Sequence, residues 1–265
     1  MIPGISVVMT VHNGQKYLED SILSVLRQTY KLFELIIIND GSTDKSGSII
    51  TELSKNNPQI IYRNIPHSGQ AKALNTAIEI SQYPNIARID ADDIWINHKL
   101  EVQINFLRAH PEIKLLGSSV DFIDHAGNKI KHNGFNRKKE MSYNEIIDNL
   151  LRYNVFCHSS VIFSKDIFLR VGKYNESYQT SMDYDLWFRI TEKYRSHILP
   201  DVLTYYRLSE EMISVKKRKT LLKESLRIHI KYYSYYQDKI TFPRKIRFFY
   251  DILRLYLRKI SLFQK

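Results

Sequence analysis

Short β-branched runs alternate with helical periodicity along the first third of the chain. The runs ISVVMTV (5–11) and FELIIIN (33–39) have the length and composition of buried strands. Between them, YLEDSILSVLRQ (17–28) places its apolar residues at helical spacing. The alternation continues through IIYRN, a helix predicted over 70–81, and the strand IARI (86–89). This order predicts an α/β fold with a mostly parallel sheet covered by helices on both faces.

Polar side chains follow the predicted strands. Thr10 and His12 lie at the end of the first strand, and Asp40 at the end of the second. Ligands of open parallel sheets bind beyond the carboxyl ends of the strands. We therefore expect these side chains to converge on one binding edge.

The strand IARI runs directly into three carboxylates, Asp90, Asp92 and Asp93, although the chain carries a net charge of +11. Carboxylates two residues apart on a loop can share a hard divalent cation. Alternatively, Asp92 or Asp93 caps the helix that follows and Asp90 merely ends the strand. Sequence alone leaves both readings open.

The remainder divides into a mixed region and a basic tail. In the mixed region, IKLLGSSVDFIDHAGNKI (113–130) predicts two strands around an Ala-Gly-Asn turn. From residue 216 onward the pattern is helical, with 15 Lys/Arg against three acids, a net charge of about +12 that leaves the first 215 residues near −1. We predict a domain over 1–215, in two parts at about 1–110 and 111–215, and a helical extension over 216–265.

Composition and missing motifs exclude several classes of protein. The start has no basic n-region, so we expect no signal peptide, and no apolar run reaches the roughly 20 residues of a transmembrane helix. A single cysteine, Cys157, excludes an internal disulfide and favours a reducing, cytoplasmic setting. There is no P-loop and no G-x-G-x-x-G dinucleotide fingerprint.

The stretch from ISVVMTVHNGQKYLEDSILSVLRQ to IIINDGSTD, followed by GQAKALNTAIEIS and IARIDADD, resembles family-2 glycosyltransferases with the GT-A fold. The resemblance covers about residues 4–195. It implies a nucleotide-sugar donor, an inverting mechanism and a divalent metal, Mn²⁺ or Mg²⁺. Residues 1–215 then form the catalytic domain, with the nucleotide site in 1–110 and the acceptor site in 111–215.

By position, the resemblance implies a donor site in the first strands. Thr10 and His12 lie beside the base and ribose, although Tyr is commoner in the family where His12 stands. Asp40 accepts a hydrogen bond from the ring N–H of uracil. Alternatively, Asp40 is only a turn residue before Gly41. Lys72 lies near the diphosphate unless it is a solvated helix lysine, and Arg207 closes over the diphosphate.

The acids of IARIDADD correspond to the D-x-D motif of the family. This implies that Asp92 ligates the metal directly, that Asp90 lies nearer the ribose and that Asp93 is structural. Where the family often has a further histidine, two residues after the late arginine, this chain has Ser209.

An inverting transfer needs a base that removes the proton of the attacking acceptor hydroxyl. The segment SMDYDLWFRI resembles the part of the family that supplies it, and Asp183, at the helix entrance, is the expected base, with a helix N-cap as its alternative. Asp185 and Trp187 are expected to support the acceptor site. His158 matches an acceptor-side position and is otherwise a hydrogen-bonded core histidine.

The segment FPRKIRFFYDILRLYLRKISLFQK (242–265) combines an apolar, aromatic-rich side with a mostly basic stripe. Such a helix either lies on anionic lipid at the inner face of the cell membrane or packs on the domain or a second subunit. Family members of this kind commonly extend polyprenyl-linked sugars for surface polysaccharide. We therefore expect a peripheral enzyme that transfers a hexosyl or N-acetylhexosaminyl group to a glycan or polyprenyl-linked acceptor, for capsule, O-antigen or exopolysaccharide synthesis.

Two other functions remain open from sequence. A sugar nucleotidylyltransferase shares the parallel-sheet nucleotide site but is expected to have a glycine-rich basic loop after the first strand, where this chain has TVHNGQKYL. A nucleic-acid-binding protein should interleave basic and aromatic residues over the sheet, whereas here they lie in the tail. We therefore expect no nucleic-acid partner.

Overall fold

A computed structural model describes residues 3–131, 140–209 and 216–236. Within these ranges nine strands form one sheet. The strands are β1 (Ile5–Val11), β2 (Phe33–Asp40), β3 (Ile60–Ile65), β4 (Asn85–Arg88), β5 (Ile94–Trp95), β6 (Ile113–Ile123), β7 (Lys129–Ile130), β8 (Ile162–Ser164) and β9 (Arg195–Arg207). Their order across the sheet is β3-β2-β1-β4-β8-β6-β9-β5, and β7 pairs with β6.

Helices connect these strands and cover both faces of the sheet. They are α1 (Leu18–Leu26), α2 (Ser46–Lys55), α3 (Gln70–Ile80), α4 (Lys99–Ala109), α5 (Tyr143–Leu150), α6 (Lys165–Arg170), α7 (Met182–Lys193) and α8 (Arg218–Tyr236). A single 3-10 turn, His158–Ser160, precedes β8. The alternation predicted for the first third of the chain is confirmed.

The sheet is parallel from β1 to β4 and contains antiparallel pairs beyond β4. Strands β1 to β4 are mutually parallel, with β1 between β2 and β4. Strand β8 then pairs antiparallel to both β4 and β6, and the hairpin predicted around the Ala-Gly-Asn turn is present as β6 and β7. Strand β9 runs parallel to β6 and antiparallel to β5.

Two apolar cores lie on the two faces of the sheet, because successive residues of a strand point to opposite sides. Val7 and Met9 of β1 belong to the core under α1, α2 and α4. Val8, between them, belongs to the core under α3, α5, α6, α7 and α8. The fully buried β1 and β2 thus explain the near-continuous apolar runs in the sequence.

Helix α8 packs on α7, with the rings of Phe188 and Tyr232 stacked 4.5 Å apart. The predicted extension therefore begins with a helix that contributes Ile228 and Tyr232 to the core. Residues 237–265, which include the proposed lipid-binding segment, lie outside the described residues. In the part of the chain that the structure describes, no helix has the length and apolarity that a membrane crossing requires.

Candidate active site

The loops after β1 and β2 hold each other at the carboxyl edge of the sheet. Asn13, at φ 55°, donates its backbone N–H to the Ser42 hydroxyl and accepts the Thr43 N–H through its side chain. Gly41 adopts φ 68°, and a Cβ there would lie 2.6 Å from the backbone nitrogen of His67. Glycine is therefore required where the loop after β2 meets the loop after β3.

The Asp40 carboxylate joins the end of β2 to the start of α3. It accepts hydrogen bonds from the backbone N–H groups of Ser68 and Gly69 at 2.7 and 3.0 Å, and from the Ser68 hydroxyl at 3.1 Å. His67 Nδ1 lies 3.0 Å from the second carboxylate oxygen. Asp40 is 3% exposed and is the last residue of β2, so the alternative of a simple turn residue does not describe it.

Two histidine rings meet at this edge. The rings of His12 and His67 lie 4.1 Å apart with an interplanar angle of 33°, and His12 Nδ1 donates to the backbone oxygen of Asp40 at 2.7 Å. The His67 side chain is 59% exposed, whereas Thr10, two residues before His12, is buried. His67 was not predicted from the sequence, because it lies in a loop whose approach to Asp40 depends on the packing of β2 against β3.

Lys72 lies on the exposed side of α3, and no ion pair or hydrogen bond holds its ammonium among the described residues. Its exposure fits the solvated-lysine alternative and equally leaves the ammonium available to an anion. Its predicted place near a diphosphate therefore stays a prediction.

A buried arginine organises the acidic cluster. Arg88, fully buried at the end of β4, places Nη2 2.5 Å from Asp90 Oδ1. Gln70 donates to the same oxygen at 3.2 Å, and Ser159 donates to Asp90 Oδ2 at 3.2 Å. Arg88 was not predicted, although an arginine inside the apolar run IARI is an unusual residue for a buried strand.

The two other acids differ in accessibility. Asp93 is buried and accepts the Arg207 N–H at 2.8 Å. The Asp92 carboxylate is partly exposed and accepts no side-chain hydrogen bond among the described residues. Burial and the charge of Asp90 raise the pKa of Asp92 to about 7, so simultaneous ionisation of the acids in this cluster is disfavoured.

Neither acid caps the next helix. Helix α4 begins at Lys99, and its N-cap is His98, which makes no side-chain capping bond. The capping alternative for Asp92 and Asp93 is therefore wrong.

Arg207 supports the backbone of the acidic loop. Its Nε donates to the backbone oxygen of Asp92 at 2.8 Å, and Nη1 donates to that of Asp124 at 3.0 Å. The guanidinium also lies over the Tyr17 ring, 4.3 Å from its centroid. With 3% exposure, the side chain of Arg207 is committed largely to positioning this loop.

Asp183 lies one residue inside α7, whose N-cap is Ser181, so the N-cap alternative for Asp183 is also wrong. Its Oδ2 accepts a hydrogen bond from Asn154 Nδ2 at 2.8 Å. Burial raises the pKa of Asp183 to about 6, against the opposing charge of Arg88. Asn154 and Ser159 lie five residues apart on one segment, and Ser159 binds Asp90, so this segment connects the start of α7 with the end of β4.

The other residues predicted for the acceptor side lie deeper. Asp185 is buried and accepts Arg189 Nε at 2.8 Å, and Trp187 is fully buried in the core. His158 Nε2 lies 2.8 Å from the Tyr174 hydroxyl, and burial together with Arg88 holds the pKa of His158 well below its ordinary value. His158 is therefore neutral, and Asp185 and Trp187 support α7 from within.

The carboxylates at this edge suit a metal ion whose remaining coordination positions are filled by a bound phosphate. No group of three or more His, Cys, Asp or Glu side chains in the described ranges is arranged to hold a metal ion. Mg²⁺ and Mn²⁺ sites that serve phosphates need only one or two carboxylates, because phosphate oxygens and water fill the other positions. Asp92, whose carboxylate is partly exposed, and Asp90, which Arg88 holds, fit this arrangement, and a cation would relieve the repulsion between the two carboxylates.

Comparisons with known sequences identify relatives of this chain. A family model described as "Glycosyl transferase family 2" matches residues 6–171. The chain is 32% identical over 258 residues to uncharacterized glycosyltransferase MJ1057 of Methanocaldococcus jannaschii, which covers 95% of this chain and 87% of that protein. It is 29% identical to amylovoran biosynthesis glycosyltransferase AmsE of Erwinia amylovora over 84% of each chain. It is also 33% identical to O-antigen biosynthesis glycosyltransferase WbnJ of Escherichia coli, over 70% of this chain and 71% of that one.

Solved structures share the fold at low sequence identity. S. aureus TarS (1–349), in complex with UDP-GlcNAc, aligns with a TM-score of 0.68 at 16% identity, over 95% of this chain and 81% of that one. The mannosyltransferase PcManGT of Pyrobaculum calidifontis, in complex with GDP-Man and Mn²⁺, aligns with a TM-score of 0.67 at 17% identity, over 98% and 71%. The predicted GT-A fold is confirmed.

Proposed function

This chain belongs to glycosyl transferase family 2, and from that premise we propose that it transfers a sugar from a nucleotide-sugar donor to a glycan hydroxyl with inversion at the anomeric carbon. One observation carries the proposal: Asn154 donates to Asp183, and Ser159, five residues further along the chain, donates to Asp90. One short segment therefore connects the candidate base to the candidate donor and metal site.

The donor half, from β1 to α4, supplies the nucleotide site. The neighbouring rings of His12 and His67, tilted 33° to each other, offer aromatic contacts for a base, and Thr10 precedes His12 by two residues on β1. Asp40 accepts a ring N–H only if His67 moves off its carboxylate. UDP is the nucleotide we propose; the complexes of TarS with UDP-GlcNAc and of PcManGT with GDP-Man support a nucleotide sugar of one of these two kinds.

Two carboxylates serve the ribose and the diphosphate of the donor. Asp92, which accepts no side-chain hydrogen bond among the described residues, is the direct ligand of Mn²⁺ or Mg²⁺, while Asp90, held by Arg88, lies nearer the ribose. When bound, such a metal neutralises the diphosphate charge as the nucleotide leaves. Arg207 acts on this site through the backbone of Asp92, and Lys72 offers its exposed ammonium to the phosphates.

The acceptor half, from β6 to α8, supplies the base. Asp183 takes the proton of the acceptor hydroxyl as that oxygen attacks the anomeric carbon from the face opposite the leaving nucleotide. Its raised pKa, about 6, suits a base that works near neutral pH. A direct contact of the acceptor with Asp185 or Trp187 is not part of the proposal, because both are buried against protein. His158, neutral and hydrogen-bonded to Tyr174, stays an acceptor-side proposal.

The acceptor we propose is a glycan on a polyprenyl carrier, used in surface polysaccharide synthesis. Similarity to glycosyltransferases of amylovoran and O-antigen biosynthesis supports this class. The basic sequence beyond residue 236 suits an anionic membrane surface, so we propose that the enzyme works at the cytoplasmic face of the cell membrane.

A donor screen tests the proposal. Purified protein is mixed with UDP-glucose, UDP-galactose, UDP-GlcNAc or GDP-mannose, with Mn²⁺ or with EDTA, and both the thermal midpoint and the release of UDP or GDP are measured. We expect one donor to raise the midpoint and to be hydrolysed only with Mn²⁺. Hydrolysis that is the same in EDTA would contradict the metal role, and release unaffected by Asp183→Asn would contradict the assignment of the base.

A further inference from the structure

Helix α8 brings a carboxylate to the entrance of α7. Glu224, 9% exposed, accepts hydrogen bonds from the consecutive backbone N–H groups of Gln179, Thr180 and Ser181 at 2.9, 3.0 and 3.1 Å. The Thr180 hydroxyl donates a fourth bond at 2.6 Å. Consecutive N–H groups that point to one place form a nest for an anion. Here that anion is a side chain of the protein.

The contact with Glu224 adds negative charge at the start of helix α7. The N-cap, Ser181, makes no side-chain capping bond, although Asp183 and Asp185 lie in the first turn. The N-terminal end of a helix carries partial positive charge and unpaired N–H groups, which negative charge nearby stabilises. Glu224 contributes such a charge from α8, which follows α7 and β9 in the chain.

A second contact fixes α7 just past Asp183. Lys231 Nζ and the Tyr232 hydroxyl each lie 3.0 Å from Asp185 Oδ1. Asp183 therefore lies between two places where α8 binds the chain, residues 179–181 and Asp185. The backbone that carries the Asp183 carboxylate is thus defined by α8.

We propose that Glu224 is a positioning residue for sugar transfer, which holds the Asp183 carboxylate at the place where it meets the acceptor hydroxyl. The inference rests on the proposed function, because it takes Asp183 as the base. A displacement of about 1 Å can cost about 10²-fold in rate, so a loosened entrance to α7 slows turnover. Donor contacts lie on β1, β2 and the loop after β4, and the affinity for the nucleotide is unaffected.

The first test compares Glu224→Gln with Lys223→Gln. Glutamine at 224 keeps the size of the side chain but turns one acceptor oxygen into an NH₂ group that faces N–H donors, whereas Lys223→Gln changes the charge of an exposed neighbour on α8. With Mn²⁺, Glu224→Gln should lower the rate constant for hydrolysis of the best donor of the four-donor panel about 10–100-fold and keep the Kd for UDP within about threefold. Lys223→Gln should keep both within about threefold of wild type.

Other outcomes overturn the proposal. If Glu224→Gln turns over at the wild-type rate, Glu224 does not position the base. If it loses UDP binding together with turnover, its role is general stability. In either case a strong loss in Asp183→Asn leaves the proposed function standing, whereas full activity of Asp183→Asn refutes that function itself.

A double-variant comparison separates positioning from any independent effect. In an Asp183→Asn background, the further change Glu224→Gln should alter the residual rate by less than about twofold, because Glu224 acts only through Asp183. Losses that multiply would contradict the inference.

A measurement without substrate completes the test. Amide hydrogen exchange of residues 179–181 should speed up at least about tenfold in Glu224→Gln and stay unchanged in Lys223→Gln, since only the first change takes a carboxylate oxygen away from these three N–H groups. Unchanged exchange in Glu224→Gln would overturn the proposal even if turnover falls.

Discussion

The donor half and the acceptor half position their carboxylates by different means. Asp40 ends β2 and is held by residues 67–69, whereas Asp90 follows β4 and is held by Arg88, Gln70 and Ser159. Asp183 lies on a helix whose entrance is held by Glu224, with Asn154 bonded to the carboxylate itself. Placement in the donor half is thus a property of the sheet edge, whereas placement in the acceptor half depends on α8.

This difference predicts separable defects. Changes at the sheet edge should affect binding of nucleotide and metal, because those carboxylates face the donor. Changes around α7 should affect turnover alone, because the base acts on the acceptor. Variants that mix the two defects would show that the halves are less independent than the contacts indicate.

The largest effect is expected at Asp183. Asp183→Asn keeps the size of the side chain next to Asn154 but removes the carboxylate that acts as the base. It should lower turnover by about 10²–10⁴-fold. Its Kd for UDP in Mn²⁺ should stay within about threefold of wild type. Hydrolysis rate and calorimetric affinity, measured on the same preparation, check both parts. A variant that keeps half its activity would move the base elsewhere.

The next effect is the coupling of metal and nucleotide at Asp92. Asp90 and Asp92 repel each other when no cation is bound, so Mn²⁺ should strengthen UDP binding by about 5–150-fold in the wild type. Asp92→Asn should abolish most of that gain, while Asp201→Asn, an exposed acid on β9, should keep it. Titration calorimetry with UDP, with and without Mn²⁺, decides it; equal coupling in all three proteins would remove Asp92 from the metal site.

A smaller, graded effect is expected with pH. Burial raises the pKa of Asp183 to about 6, and the base works only when ionised. Turnover at saturating donor and Mn²⁺ should therefore be full well above pH 6 and fall about tenfold per unit below it. The affinity for UDP, measured at each pH, serves as the control for effects at the metal site. A flat profile from pH 7 to pH 4.5 would show that Asp183 does not act as the base.

The smallest effect on turnover is expected at the tail. Deletion from Arg244 onward should leave hydrolysis of a soluble donor within about threefold, since every proposed site residue precedes it in the chain. The same deletion should weaken co-sedimentation with anionic vesicles, and binding of the full-length chain should fall as salt rises. Full-length protein that ignores anionic vesicles at low salt would contradict the membrane role.

The sequence predicted the donor half better than the acceptor half, for a physical reason. β-Branched runs and helical periodicity are local signals, and the carboxyl ends of parallel strands must share an edge, so Thr10, Asp40 and the acid cluster could be placed together before the fold was seen. His67 and Arg88 were not predicted from the sequence, because strand pairing and burial determine their partners.

In the acceptor half the decisive contacts are long-range. Asp185 and Trp187 have the same helical spacing whether they face an acceptor or a core. Lys231 and Tyr232 of α8 bind Asp185, and Phe156 and Phe163 pack on Trp187. Glu224 carries no motif at all: its partners are backbone N–H groups 43–45 residues away. The segment was predicted as an extension because its charge stood out, whereas one of its three acids, Glu224, binds the entrance of α7.

The central claim is that Asp183 drives a single direct displacement on a donor held by the sheet edge. Proton NMR of the sugar released during the first minutes of donor hydrolysis tests it most directly, before the anomers equilibrate. From an α-linked donor of the panel, with Mn²⁺, the account predicts that the β-anomer appears first and that Asp183→Asn abolishes its appearance. Initial release of the α-anomer would contradict the account, because retention requires a mechanism other than one displacement assisted by Asp183.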